Sequence, residues 1–174
     1  CLLATLAACG PSRLAVSYRI PDPLLVALPL TVGLRLPPAF TAYVQKELIN
    51  DSQVEISLGA THTDALRRVA ERLFVRAVIF EDAPPPDAGP LPVLEPSLLD
   101  YVYVFPAKGS DFYSVTIPYK VTLFGPDNAE LGTWEYAGYG SVPSRRTGRS
   151  KGMLLASAAA IRDASANFAA HLPD

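Results

Sequence analysis

Histidine, cysteine and serine are the residues of this chain that most often ligate metals or act as nucleophiles in other proteins. The two histidines, His62 and His171, are far apart in the sequence, whereas a zinc site needs three or four ligands at suitable spacing. We therefore expect both to be surface or helix-capping residues. In Gly138-Tyr139-Gly140-Ser141-Val142 the serine is not centred between the glycines, as a nucleophile elbow requires. The sequence predicts no metal site and no serine nucleophile.

Phosphate-binding loops and paired catalytic carboxylates also have recognisable patterns. The segment Gly148-Arg149-Ser150-Lys151-Gly152 lacks the lysine followed by serine or threonine that such a loop carries. Glycoside hydrolysis needs two carboxylates about 5–9.5 Å apart. Sequence spacing pairs none of the available acids, which are Glu55, Asp64, Asp100, Glu130, Glu135 and Asp163. We expect no enzyme activity and no cofactor.

Two clusters of side chains are candidates for binding rather than catalysis. The basic cluster precedes the last predicted helix and contains Arg145, Arg146, Arg149 and Lys151. Free N–H groups at a helix start favour anions, so its target would be a lipid headgroup, a glycan acid or an acidic partner. The alternative is a solvated, mobile loop.

The second cluster is aromatic and lies in the late predicted strands. Tyrosine and tryptophan are enriched at binding surfaces. The residues that we single out as possible contacts are Tyr101, Tyr103, Trp134 and Tyr136. The alternative is that most of these rings are cross-strand packing pairs.

The amino end contains a short motif, Leu6-Ala7-Ala8-Cys9, after an apolar run and before a segment with proline. It resembles the lipobox of bacterial lipoproteins, in which the cysteine is acylated and the preceding peptide is removed. The resemblance implies that Cys9 carries the lipid. Gly10 stands where an aspartate in such lipoproteins favours the inner membrane, so the resemblance implies the outer membrane, facing the periplasm. The alternative is that Cys1 and Cys9 are ordinary thiols.

The length and composition of the chain are typical of a single globular domain. The chain has 174 residues, is 49% hydrophobic and 18% charged, and carries a net charge of −2. A chain without basic excess is not expected to bind nucleic acid. We expect residues 1–8 to be a signal-peptide remnant, residues 9–23 a lipid-anchored tether with little regular structure, and residues 24–174 a single domain.

Hydrophobic periodicity and turn residues predict the elements of that domain. Apolar residues alternate from Leu28 to Leu36, which indicates a strand, and Pro37-Pro38 open a predicted helix with Phe40, Val44 and Leu48 on one face. A second helix after Gly59 has capping spacing at Thr61 and Asp64. The other predicted elements are strands at 53–58, 74–80, 98–105, 112–124 and 131–139, loops at 81–96 and 140–150, and a helix from about 150 to 171.

This order predicts an α+β fold, with a mixed sheet of about six strands and about three helices packed against it (β-α-β-α-β-β-β-β-α). The order resembles the amino-terminal domain of TolB and small envelope lipoproteins of related fold, some of which activate cell-wall synthases. We expect a non-catalytic accessory protein whose partners are the membrane, through Cys9, and an envelope protein complex. The alternatives are a lipid or small-ligand carrier and a cell-wall hydrolase.

Overall fold

The computed structural model describes residues 12–17, 26–49, 52–106 and 111–171, without the side chains of Ile49 and Arg146. Cys1 and Cys9 lie outside the described residues. The expected α+β fold is confirmed. Its strands are β1 (Ser12–Ala15), β2 (Leu28–Arg35), β3 (Val44–Ile49), β4 (Ser52–Ser57), β5 (Phe74–Phe80), β6 (Val93–Leu98), β7 (Val102–Val104), β8 (Phe112–Phe124) and β9 (Glu130–Pro143). Its helices are α1 (Pro38–Thr41), α2 (Gly59–Leu73) and α3 (Arg149–His171).

Six strands form the mixed sheet that the element order predicts. The strands run in the order β5-β2-β6-β8-β9, and the short β7 pairs with β8 beyond the end of β6. β2 is parallel to β5 and β6, whereas β8 is antiparallel to all its neighbours. Alternate residues of β8 are buried beneath α2 and α3, as predicted, and they include Val115, Ile117, Tyr119 and Val121.

A second, three-stranded sheet has the order β1-β4-β3. Its strand β3 occupies most of the segment predicted to be a helix, so that prediction is wrong beyond the single turn of α1. The spacing of Val44 and Leu48 fits a helix, but the two residues also lie on one side of a strand and are 39% and 70% exposed. Antiparallel pairing with β4 supplies the backbone hydrogen bonds instead.

The strand β1 lies in the segment that we expected to have little regular structure. It pairs parallel with β4, and Val16 just beyond it is buried. The proposed division of the chain at residue 24 stays a prediction.

Helix α2 begins at Gly59, so the predicted cap at Thr61 and Asp64 is wrong. A Cβ atom at Gly59 would lie 2.1 Å from the carbonyl oxygen of Thr41, and only glycine permits that approach. The Thr61 hydroxyl donates a hydrogen bond to the carbonyl of Val16, and Asp64 pairs with arginines of the same helix. The buried side of α2 contains the predicted stripe of Leu66, Val69, Ala70 and Leu73.

In place of the strand predicted at 98–105 there are two strands, β6 and β7, and β6 begins inside the loop predicted at 81–96. Pro96 belongs to β6 although proline cannot donate a hydrogen bond to a neighbouring strand. The pairing of β6 with β2 extends only over Val93 and Leu94, so the missing N–H of Pro96 breaks no bond on that side. The loop predicted at 140–150 is also shorter, because β9 continues to Pro143 and α3 begins at Arg149.

Candidate functional site

An apolar hollow lies on the helix-covered face of the large sheet, at the end where β2, β5 and β6 begin. Its volume is about 270 Å³. It is lined by apolar side chains from five strands and one loop, namely Leu28, Leu30, Val32, Phe74, Pro92, Leu94, Leu123 and Trp134. Helix α2 ends at Leu73, immediately before Phe74, so its last turn lies at this end of the sheet. Leu30 is 52% exposed there.

A second hollow, of about 260 Å³, lies on the other side of Trp134. Its walls are the end of α3 and the neighbouring parts of β8 and β9, and its lining residues are Val121, Thr133, Trp134, Glu135, Tyr136, Phe168 and His171. We call the two hollows together the Trp134 groove. Each hollow by itself is a little smaller than the range of about 300–1,000 Å³ that is typical of small-molecule sites.

The chemistry of the Trp134 groove is that of a surface for apolar groups. The first hollow contains no ionisable side chain, whereas the second contains Glu135 and His171, which are both exposed. The Tyr136 and Phe168 rings form an apolar wall, with their centroids 5.8 Å apart. The first hollow of the groove is therefore apolar, and the second also contains polar groups. The Trp134 indole lies between the two hollows.

The structure separates the four aromatic residues that the sequence singled out. Trp134 and Tyr136 line the groove, but Tyr101 is buried and its hydroxyl lies 2.8 Å from Ser157 Oγ of α3. Burial raises the pKa of Tyr101 to about 12. Tyr103 is half-buried and makes an edge contact with Phe105, with ring centroids 4.8 Å apart. The prediction of a binding role is wrong for Tyr101 because its side chain holds α3 on the sheet.

The residues of the basic cluster contact different parts of the protein. Arg145 forms an exposed ion pair with Asp111 at 3.1 Å, and the Arg149 guanidinium lies 5.2 Å from the centre of the Phe105 ring. Lys151 is exposed on the first turn of α3. The side chain of Arg146 lies outside the described residues. An anion site at this cluster stays a prediction.

The prediction of a surface or helix-capping position is wrong for His62. It is only 1% exposed, and its ring stacks on Phe40 with centroids 3.9 Å apart. Nε2 donates a hydrogen bond to the Phe40 carbonyl oxygen at 2.6 Å, and burial lowers the pKa of the imidazole to about 4. The early start of α2 turns His62 to the core, on the same side as Leu66 and Val69. His171, by contrast, is exposed as expected.

The part of the chain that the structure describes contains neither a metal-binding cluster nor a helix able to span a membrane. No three His, Cys, Asp or Glu side chains there are grouped so that they would hold a metal ion. Among the same residues, no helix has the length and apolar character that crossing a bilayer requires.

No protein-family model and no curated protein matches the sequence. A solved structure does share its architecture. The protein XCC0632 from Xanthomonas campestris, described with the family model DUF330, matches with a TM-score of 0.59 at 11% identity, over 91% of this chain and 92% of that one.

Two further solved structures match with TM-scores below 0.5. The hypothetical protein CT253 from Chlamydia trachomatis gives 0.47 at 12% identity over 83% of this chain and 98% of its own. A minor lipoprotein from Acinetobacter baumannii gives 0.45 at 12% identity over 84% and 92%. The comparisons therefore show that this chain has the fold of XCC0632, over about nine-tenths of both chains.

Proposed function

We propose that this protein is a lipid-anchored, non-catalytic accessory protein that docks on a protein complex of the bacterial cell envelope through the Trp134 groove. The observation that carries the proposal is the partly exposed apolar end of the sheet, where Trp134 stands between two hollows and Leu30 is 52% exposed. Tryptophan and tyrosine side chains in such pockets contribute most of the binding energy in many protein interfaces. A partner would place one apolar side chain on each side of the indole.

The membrane attachment rests on the lipobox-like sequence that ends at Cys9. A single acyl chain binds membranes only marginally, whereas two or more give stable anchoring. A cysteine acylated on its sulfur and its amino group would satisfy that requirement. It would hold the domain at the periplasmic surface of the outer membrane, where the groove meets envelope proteins.

The anchor has a direct test. We expect Cys9→Ser, introduced into the complete precursor in bacterial cells, to abolish palmitate labelling and to release the protein from the membrane fraction. The reason is that serine has no thiol to acylate. Labelling that persists in the serine variant would show that another residue carries the lipid.

The groove is tested by the change Trp134→Ala. Removing an interface tryptophan typically costs about 2 kcal/mol or more, which is about thirtyfold in Kd. We therefore expect this variant to lose the envelope protein that co-purifies with the parent in detergent, measured by quantitative mass spectrometry. The matched control is Tyr139→Ala, an aromatic residue of β9 on the opposite face of the sheet that is 56% exposed. Equal recovery with both variants would contradict docking at the groove.

A lipid or small-ligand carrier is the second candidate function, favoured by the wholly apolar lining of the first hollow. A native mass spectrum of the purified protein separates the two functions. Stoichiometric bound lipid supports the carrier, and a bound membrane protein supports the accessory role. A cell-wall hydrolase remains the third alternative, which an activity screen on cell-wall fragments tests.

A further inference from the structure

A small internal cavity lies behind Tyr136, between β8, β9, α2 and α3. Its volume is about 10 Å³, and its polar walls are His62, Tyr119, Tyr136 and Ser165. Tyr136 also lines the second hollow of the Trp134 groove. The Tyr136 ring therefore contacts both the outer groove and the inner cavity.

Three polar atoms of the cavity residues have no hydrogen-bond partner among the residues that the structure describes. They are Nδ1 of His62 and the hydroxyl oxygens of Tyr119 and Tyr136. His62 and Tyr119 are 1% and 2% exposed, so bulk water does not reach them. Buried polar groups in proteins are nearly always hydrogen-bonded, to protein atoms or to ordered water. The fourth polar residue, Ser165, is satisfied, because its hydroxyl donates to the Ile161 carbonyl at 2.8 Å.

The proton positions around His62 follow from its hydrogen bond to Phe40. The carbonyl oxygen of Phe40 only accepts, so Nε2 of His62 carries the hydrogen. A neutral imidazole then presents Nδ1 as a bare acceptor. Burial keeps the ring neutral at pH 7, since it lowers the imidazole pKa to about 4.

The two tyrosines supply the complementary groups. Tyr119 and Tyr136 are direct partners in the β8–β9 pairing, and their rings stack with centroids 5.6 Å apart. The Tyr119 ring also makes an edge contact with His62, at 6.0 Å between centroids. Each hydroxyl can donate one hydrogen bond, but neither is within bonding distance of the other or of Nδ1.

We propose that this cavity binds one ordered water molecule, which donates a hydrogen bond to Nδ1 of His62 and accepts hydrogen bonds from the hydroxyls of Tyr119 and Tyr136. Three bonds are the usual number for a buried water, and a cavity of about 10–15 Å³ is the smallest that holds one. The size admits no larger ligand. The water joins α2 to β8 and β9 and holds the Tyr136 ring in place as a wall of the groove.

The change Tyr119→Phe distinguishes a hydrated cavity from a dry one by the sign of its effect. If the water is bound, the variant loses a hydrogen bond and its Tm falls, as we expect also for the control Tyr101→Phe, whose hydroxyl bonds Ser157. If the cavity is dry, the hydroxyl of Tyr119 is an unsatisfied buried group, and its removal raises the Tm.

A crystal structure of the unsubstituted protein, at a resolution that shows ordered water, gives an independent answer. We expect one peak of density within hydrogen-bond distance of all three atoms. An empty cavity overturns the proposal, and so do direct bonds between the tyrosine hydroxyls and His62 or a rise in the Tm of Tyr119→Phe. If the variant does not fold, the density alone decides.

Discussion

Adding one methyl group to the middle of β9 is expected to destabilise the protein by about 3 kcal/mol or more. A Cβ atom at Gly138 would lie 2.0 Å from the carbonyl oxygen of Ala160 in α3. Overpacking costs about 1–3 kcal/mol where side chains adjust, and here the obstacle is helix backbone. Gly140 has the same contact with the carbonyl of Ala156. The free energy of unfolding of Gly138→Ala, measured by denaturant titration, tests the expectation.

The same strand offers a matched control. A Cβ atom at Gly132 would meet its nearest neighbour, the Trp134 ring, at 3.5 Å, which is an ordinary contact. We therefore expect Gly132→Ala to leave stability nearly unchanged. If Gly138→Ala were as stable as Gly132→Ala, α3 would not lie directly on the backbone of β9.

The second large effect is a loss of stability in acid that originates at His62. The folded protein holds this imidazole neutral with a pKa of about 4, whereas the unfolded chain has the ordinary value near 6.5. Between these two pH values the unfolded state binds more protons than the folded state. The contribution of His62 to the free energy of unfolding is therefore fully present above pH 6.5 and is lost as the pH decreases toward 4. The difference amounts to about 3 kcal/mol.

The variant His62→Gln isolates this contribution. Its amide can donate to the Phe40 carbonyl but does not titrate, while the carboxylates of the protein titrate equally in both chains. We expect the parent to lose about 3 kcal/mol more than the variant between pH 7 and pH 4 in denaturant titrations. Parallel pH profiles for the two proteins would show that His62 is charged or accessible in the folded state.

Alternating patterns predicted the large sheet well, because one face of each strand is buried. The long alternation from Tyr113 to Leu123 identified β8 and its buried face. The turn after Gly125 identified the β8–β9 hairpin, in which Asn128 adopts a φ of 62°. These patterns involve residues that are adjacent in the sequence, so they can be recognised without knowing which strands pair.

The wrong predictions concern segments whose structure depends on contacts with residues far away in the sequence. Val44 and Leu48 fit helix and strand periods equally, and the pairing with β4 made them a strand. The burial of His62 depends on the close approach of Gly59 to α1, which no local pattern indicates.

The candidate site was predictable only in part. Trp134 and Tyr136 were recognised by residue type, and they do line the groove. Leu28 and Leu30 belong to the same alternating pattern as the buried residues of β2. The pattern therefore predicted that both side chains would lie in the hydrophobic core. Leu30 is nevertheless 52% exposed, and how far the helices extend over β2 is a property of the packing that no local pattern indicates.

Photocrosslinking in cells tests the docking role most directly. A photoreactive amino acid is placed at Leu30, on the exposed side of the groove, or at Tyr139, on the other face of the sheet. We predict a crosslink to an envelope protein from position 30 that Trp134→Ala abolishes, and none from position 139. Crosslinks from position 139 alone, or crosslinks from position 30 to lipid but to no protein, would contradict the proposed accessory function.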